Sequence, residues 1–185
     1  MTVLQIVLLI SLVALTAICQ PNSSQEPSAL PHVPPTCRVT APPAVPFTPP
    51  APYEQSEGEK TFLLGTEKLW VVLQKSGVWG WGPPEPGHER RVEPLTTKTF
   101  WASVDYDYQR EEYPDLKVTG RRLDGDAPPL LTNEATNAFP GPAPAMLVGV
   151  RVPAPGCWEI TGEYKDQKLS FVVWVTRLKH VKPVK

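Results

Sequence analysis

Histidine and cysteine are scarce, with three of each among 185 residues. His32, His88 and His180 lie in stretches without strand character, so none is expected beside a serine nucleophile and an orienting acid. Structural zinc takes four ligands, which cysteines remote from histidine do not supply. The sequence therefore predicts no enzyme, no metal site and no cofactor.

Neither sign of charge dominates, because 18 basic and 19 acidic residues leave a formal net charge of -1. A chain without a basic excess lacks the electrostatic attraction that drives nucleic-acid binding, so no nucleic-acid partner is predicted. Glu159 and Glu163 could pair for glycosidase chemistry, but a solvated strand face explains them better. The acidic loop of residues 105–115 lacks the spacing of an EF-hand and is also interpreted as solvated.

Residues 1–19 are an apolar run that ends at Cys19, with no charged side chain. The run is about as long as a signal-peptide core and shorter than the ~20 residues of a spanning helix. It is predicted to be a cleaved signal peptide, with an uncleaved membrane anchor as the alternative. Cys19 is also a candidate for lipidation. The protein is expected to be exported, to the periplasm, the cell envelope or the medium.

Proline is abundant, at 24 residues, and residues 20–52 combine it with serine and alanine. This composition predicts a tether that does not fold by itself. Cys37 lies in the tether, and Cys157 lies far along the chain. An exported chain with this remaining pair of cysteines is expected to bridge them, which would hold the segment around Cys37 against the domain.

The rest of the chain alternates apolar runs with turn residues and lacks sustained helical periodicity. Trp158, Ile160 and Tyr164 share one strand parity, and the run Leu169–Val175 repeats the pattern after a polar turn. This predicts a hairpin with a loop of about three to five residues. A second hairpin is predicted to join Lys68–Leu73 to Val78–Trp81.

About seven or eight such strands, with one long-range disulfide, predict an all-β fold. We expect an immunoglobulin-like antiparallel β-sandwich over residues 53–177, with a small barrel as the alternative. Residues 178–185 are predicted to be a basic tail.

Aromatic residues near the predicted hairpin ends are the best candidates for ligand binding, because exposed rings can stack on sugars or contact a protein. The candidates are Trp79, Trp81, Tyr106, Tyr108 and Tyr113. The alternative is that the tryptophans fill the core, and the exposure of the Trp79–Trp81 segment decides between the two.

Arg121 and Arg122 are adjacent in a predicted strand and must point to opposite faces. One guanidinium therefore faces inward or lies at an edge, where a buried arginine needs a carboxylate partner. Asp124 and Glu159 are the candidate partners. The arrangement is interpreted as a structural ion pair.

Several motifs are similar to those of a family of uncharacterised secreted bacterial proteins that share a Gly-Cys-Trp-Glu-Val-Thr-Gly hairpin. The motifs are Cys37-Arg38-Val39-Thr40, Lys68-Leu69-Trp70, Gly77-Val78, Leu116–Asp124, Ala127-Pro128-Pro129-Leu130 and Gly156–Gly162. The resemblance implies export, a Cys37–Cys157 bridge and a β-sandwich, and it implies no activity. Arg38 departs from the family, which tends to have proline there.

These observations predict a non-enzymatic, exported cell-envelope protein with an interaction or adhesion domain. Its partner is an unidentified protein or glycan, and its N-terminus is a candidate point of membrane attachment. The alternative is a carbohydrate-binding module that uses the aromatic residues named above. The sequence makes no prediction of oligomeric state.

Overall fold

The computed structural model describes residues 31–53, 58–81 and 95–178. Within them lie ten strands and no helix, and so nothing long and apolar enough to cross a membrane as a helix. The strands are β1 (Thr61–Gly65), β2 (Leu69–Gln74), β3 (Val78–Trp81), β4 (Leu95–Ser103), β5 (Leu116–Arg122), β6 (Leu131–Thr132), β7 (Thr136–Ala138), β8 (Ala145–Val152), β9 (Gly156–Tyr164) and β10 (Gln167–Arg177).

The strands form two sheets that enclose one main core. The first sheet has the order β1-β2-β4-β8-β6, with β7 also paired to β8, and the second has the order β3-β10-β9-β5. Pairing is antiparallel except between β3 and β10. Read as β2-β4-β8-β6 and β5-β9-β10, the strands follow the A-B-E-D and C-F-G orders of immunoglobulin domains. The predicted all-β sandwich is confirmed.

Large aromatic side chains fill the space between the sheets. Trp101, Trp158 and Tyr164 are at most 1% exposed, and the alternation along β9 follows the predicted parity. The indole N–H groups of these two tryptophans have acceptors, the hydroxyl of Thr99 for Trp101 at 3.0 Å and the carbonyl of Ala154 for Trp158 at 2.9 Å. The core therefore buries the apolar area of the rings without leaving these indole donors unpaired.

The hairpin of β9 and β10 is confirmed, but its loop is shorter than predicted. Tyr164 pairs with Gln167, which leaves Lys165 and Asp166 as a two-residue connection. Lys165 has φ 52°, a conformation that tight hairpins usually assign to Asn or Gly. The shorter loop was missed because that sequence signal is absent.

The predicted hairpin between β2 and β3 is wrong. β2 pairs with β1, and β3 crosses to the second sheet, where it runs parallel to β10 with Val78 opposite Trp174. The crossing places Trp79 in the core, where its ring meets Phe171 edge-on at 5.9 Å. A local turn pattern identified the change of direction at Gly77 and not the change of sheet.

The second half of the proline-rich leader is packed against the domain. Cys37 and Cys157 form a disulfide across a sequence separation of 120, as predicted. The Thr40 amide donates to the Val172 carbonyl at 2.9 Å, and the Val172 amide donates to the Thr40 hydroxyl at 2.8 Å. The packed structure thus begins before the predicted boundary at residue 53.

Further along the leader, Phe47 and Tyr53 cover the outer side of the first sheet. Their rings contact Trp70 at centroid distances of 6.0 and 5.2 Å, and Trp70 is fully buried. The Tyr53 hydroxyl donates to the Val104 carbonyl at 3.1 Å. The leader therefore supplies the cover of a second, smaller apolar cluster around Leu63 and Trp70.

Candidate interaction surface

Two of the predicted ligand-binding aromatic residues are core residues. Trp79 is 9% exposed and Tyr106 is 5% exposed, and Tyr106 meets the Tyr164 ring edge-on at 6.4 Å. The prediction that these rings face solvent is wrong, because strand crossing and loop packing turn both of them inward. They are not available to stack on a sugar.

The other candidates do not form a shared surface with them. Tyr108 is half-buried against the core, whereas Tyr113 is 59% exposed. Trp81 lies at the end of β3, and its side chain is outside the described part of the structure. Cys19, the lipidation candidate, and the predicted basic tail beyond Leu178 also lie outside the described residues.

The acidic and aromatic loop after β4 is fastened to the β9–β10 hairpin. The Tyr164 hydroxyl donates to the Glu111 carboxylate at 2.7 Å, and the Lys165 ammonium lies 3.4 Å from the same carboxylate. The Asp107 amide donates to it at 3.2 Å. Glu111 therefore has a structural role, and no group of acidic, histidine or cysteine residues suited to a metal occurs in the described residues.

This packing shifts the protonation equilibria of the loop. Burial, followed by the hydrogen bond to Glu111, raises the pKa of Tyr164. Burial and the nearby Glu111 charge raise the pKa of Tyr106 to about 12. Burial alone would raise the pKa of Glu111, but the donors Tyr164, Asp107 N–H and Lys165 outweigh it and lower that pKa.

Both predicted arginines pair with the predicted carboxylates. Arg121 Nε lies 2.7 Å from Glu159 Oε2, and Arg122 Nε lies 2.7 Å from Asp124 Oδ1. Their side chains are 71% and 25% exposed, so neither guanidinium is deeply buried. Arg122 lies at the end of the outermost strand of its sheet, where it can face inward and still reach solvent.

An apolar surface that the sequence analysis missed lies on the outer side of the first sheet. Its members, which we call the phenylalanine patch, are Val72, Phe100, Phe139 and Leu147. Phe100 pairs across the ladder with Leu147, and its ring lies 5.2 Å from that of Phe139. Phe139 is 56% exposed, and the other three are half-buried.

Phe139 stands out by its backbone as well as its exposure. Its φ is 58°, in the left-handed region that a bulky side chain rarely adopts. It follows β7 and precedes Pro140-Gly141-Pro142. A single aromatic residue inside a proline-rich loop was the available sequence signal, but it does not reveal that the ring lies on Phe100.

Next to the patch, the first sheet is open between β2 and β4. The two strands pair only through Leu69–Val71 and Trp101–Ser103, whereas β4 pairs with β8 from Leu95 to Trp101. A cavity of about 340 Å³ occupies the opening. The described segments that line it are Thr61, Val72–Gln74, Val78–Gly80 and Leu95–Phe100.

The opening arises because the chain leaves the first sheet after Gln74. β3, which would otherwise continue beside β4, lies in the second sheet and places Trp79 on the cavity wall. Among the described residues, β4 therefore pairs with β8 from Leu95 onward and has no bridge to β2 before Trp101.

Comparison of the chain with protein-family models, with curated proteins and with solved structures finds no match. The resemblance to secreted bacterial proteins therefore stays a prediction.

Proposed function

We propose that this protein is an exported, non-enzymatic domain that binds another protein through the phenylalanine patch. The Cys37–Cys157 disulfide indicates an oxidising compartment, which supports export. The patch supports protein binding because exposed aromatic and aliphatic side chains are enriched at the centres of interfaces. Attachment to the cell envelope through residues 1–19 completes the proposal.

The observation that carries the proposal is Phe139. Its left-handed backbone and its exposed ring are both unfavourable in an isolated domain, and strained positions of this kind cost about 1–3 kcal/mol and cluster at functional sites. Asn or Gly at this position would relieve the strain and would also remove the exposed apolar area. A bound partner would bury the exposed ring and remove its apolar surface from water.

Carbohydrate binding by the predicted aromatic residues has less support. Trp79 and Tyr106 are buried, and stacking on a sugar needs a ring face in solvent. Tyr113 alone does not make an extended platform with them.

Site-specific photocrosslinking in the native host tests the proposal. A benzophenone amino acid placed at Phe139 is expected to give one dominant protein adduct, and the Phe100→Ser substitution in the same chain is expected to suppress it. Leu131 is the control position, since it is 59% exposed and lies outside the patch. The proposal fails if position 139 gives no adduct, or if position 131 gives the same one.

A further inference from the structure

The geometry points to the opening between β2 and β4 as the binding site for an extended, acidic segment of the partner protein, held by strand addition to β4. This inference rests on the proposed function, because it names the chemistry of the partner at the edge of the phenylalanine patch. It is carried by unpaired backbone groups, by the shape of the cavity and by charge.

The backbone on the open edge of β4 is directed into the gap. The Val104 amide donates to the Lys68 carbonyl at 3.3 Å. Because backbone groups alternate between the two neighbouring strands, the N–H and C=O groups of every second residue before Val104 also point toward β2. The N–H and C=O groups of Thr96, Lys98 and Phe100 therefore face β2. The Phe100 carbonyl accepts the last ladder bond, from the Val72 amide beside the Val71–Trp101 pair. The N–H and C=O groups of Thr96 and Lys98 and the N–H of Phe100 have no ladder partner among the described residues. Thr97 and Thr99 face β8 and are paired.

The facing wall is oriented in the same manner. The Lys75 amide donates to the Lys60 carbonyl at 2.9 Å on the β1 side, so the backbone groups of Val72 and Gln74 face the gap. The Gln74 carbonyl is satisfied by the Gly77 amide at 3.0 Å, which leaves most of the free groups on β4. An extended chain satisfies such an edge, and addition of a strand is a recurrent mode of peptide recognition.

Side chains of an added strand would alternate between two environments. One set would enter the cavity of about 340 Å³, whose deep wall includes Leu73, Trp79 and Leu95, all at most 9% exposed. The other set would lie on the outer side, beside Val72 and Phe100. The open run of β4 is about 20 Å long at roughly 3.4 Å per residue, which matches a segment of about six residues.

The charge around the gap favours an acidic segment. Four exposed cations lie on the lining segments or next to them in sequence or register, and they make no ion pair with a described residue: Lys60, Lys75, Lys98 and Arg151. Lys98 lies on the open strand β4. Arg151 lies on β8, where it pairs with Thr96, two residues before Lys98. Lys60 and Lys75 adjoin Thr61 and Gln74, which line the cavity. Carboxylates on the outer positions of the added strand would complement Lys98 and Arg151, which have the outward parity of Phe100 and Leu147.

Amide hydrogen exchange of the full-length, disulfide-bonded protein tests the first step. In the free protein the amides of Thr96, Lys98 and Phe100 are expected to exchange at least tenfold faster than those of Thr97, Thr99 and Trp101 on the same strand. Equal protection of both sets would overturn the inference, because it would mean that the chain itself already pairs with this edge.

Selection of peptides tests the second step. The probe is a random heptapeptide display library selected on the wild-type protein, and the selected peptides are then synthesised for affinity measurement. They are expected to contain acidic residues alternating with apolar ones, and to protect the Thr96, Lys98 and Phe100 amides when bound. Peptides without acidic residues, or peptides that leave these amides unprotected, would overturn the inference.

Substitution of Lys98 separates backbone pairing from charge. Lys98→Ala removes the ammonium and keeps the N–H. We therefore expect the affinity for the selected peptides to fall about two- to fivefold and to depend less on salt. Lys98→Pro also removes the N–H that faces the gap, at an edge position where proline is tolerated, and should bind at least tenfold more weakly than Lys98→Ala. The pair Thr96→Ala and Thr96→Pro repeats the comparison if Lys98→Pro does not fold. Equal binding by the alanine and proline variants would refute strand addition.

The two proposals can fail separately. An adduct at position 139 without protection of the alternate β4 amides in the complex would retain protein binding and overturn strand addition. Binding of selected peptides without an adduct at position 139 would retain the peptide site and overturn the assignment of the phenylalanine patch.

Discussion

Removal of the Cys37–Cys157 disulfide is expected to lower the free energy of unfolding by about 4–5 kcal/mol. The bond joins residues separated by 120 positions, and in the chain-entropy model a closed loop of that size restricts the unfolded chain by about this amount. Both cysteines are buried, so the paired Cys37→Ala and Cys157→Ala variant keeps small apolar side chains in place of the sulfur atoms.

Urea unfolding of the oxidised protein, the reduced protein and the double alanine variant measures this loss. Reduced protein and double variant are expected to agree within about 1 kcal/mol, because the loss comes from the cross-link more than from the side chains. In the folded double variant the leader should stay docked, since Thr40 and Val172 exchange two hydrogen bonds and Tyr53 packs on Trp70. A loss below about 1 kcal/mol would refute the assignment of the bond as a main constraint on the unfolded chain.

Three further outcomes are expected of the fold. Glu111→Gln should lower stability at pH 7 by roughly 1–2 kcal/mol through weaker hydrogen bonding to Tyr164. Because the folded pKa of Glu111 is lowered, its contribution is present above the unfolded pKa and lost as pH falls through the folded one, so variant and wild type should converge in acid unfolding curves. The pKa of Tyr106 is raised to about 12, so stability should fall as pH rises from about 10 toward 12, and Tyr106→Phe should flatten that part of the curve. Gly162→Ala would place a methyl group against the Trp101 ring and should cost about 1–3 kcal/mol in thermal or urea unfolding, whereas Gly141→Ala, which has open space but φ 114°, tests backbone strain without a clash.

Local patterns predicted the parts of the fold that depend on local physics. The parity of Trp158, Ile160 and Tyr164 identified the buried face of β9, since strand side chains alternate strictly between two faces. The pairing of Cys37 with Cys157 followed from the number of cysteines available in an exported chain. Asp124 and Glu159 were named as candidate partners of the Arg121–Arg122 pair because adjacent strand residues cannot share a face.

The wrong predictions concern strand pairing and side-chain burial, which depend on contacts between distant parts of the chain. The turn at Gly77 is compatible with a hairpin or with a crossing between sheets. The crossing occurs because β3 pairs with the edge of β10 that β9 does not occupy. Trp79 and Tyr106 were candidate surface rings, with the core as the alternative for Trp79, because the sequence does not show which sheet or loop covers a ring. The packing of Phe47 and Tyr53 on Trp70 was missed. A proline-rich composition indicates that a segment does not fold by itself, but it does not indicate whether the segment packs on a domain that is already folded.

The candidate surface could not be predicted from the sequence for the same reason. Phe100 and Phe139 are distant in the chain, and they meet because β4 and β7 both lie beside β8. The opening beside them exists because β3 lies in the second sheet. The predicted hairpin of β2 and β3 would have closed this opening.

Protein binding through the phenylalanine patch is the central claim, and the affinity of the partner captured at position 139 tests it most directly. The wild-type protein, Phe139→Ser and the control Leu131→Ser would be compared by calorimetry after folding is confirmed. The account predicts that Phe139→Ser binds at least tenfold more weakly, as expected for an aromatic residue at an interface centre, and that Leu131→Ser stays within about twofold of wild type. Equal affinity of the wild-type protein and Phe139→Ser would contradict it.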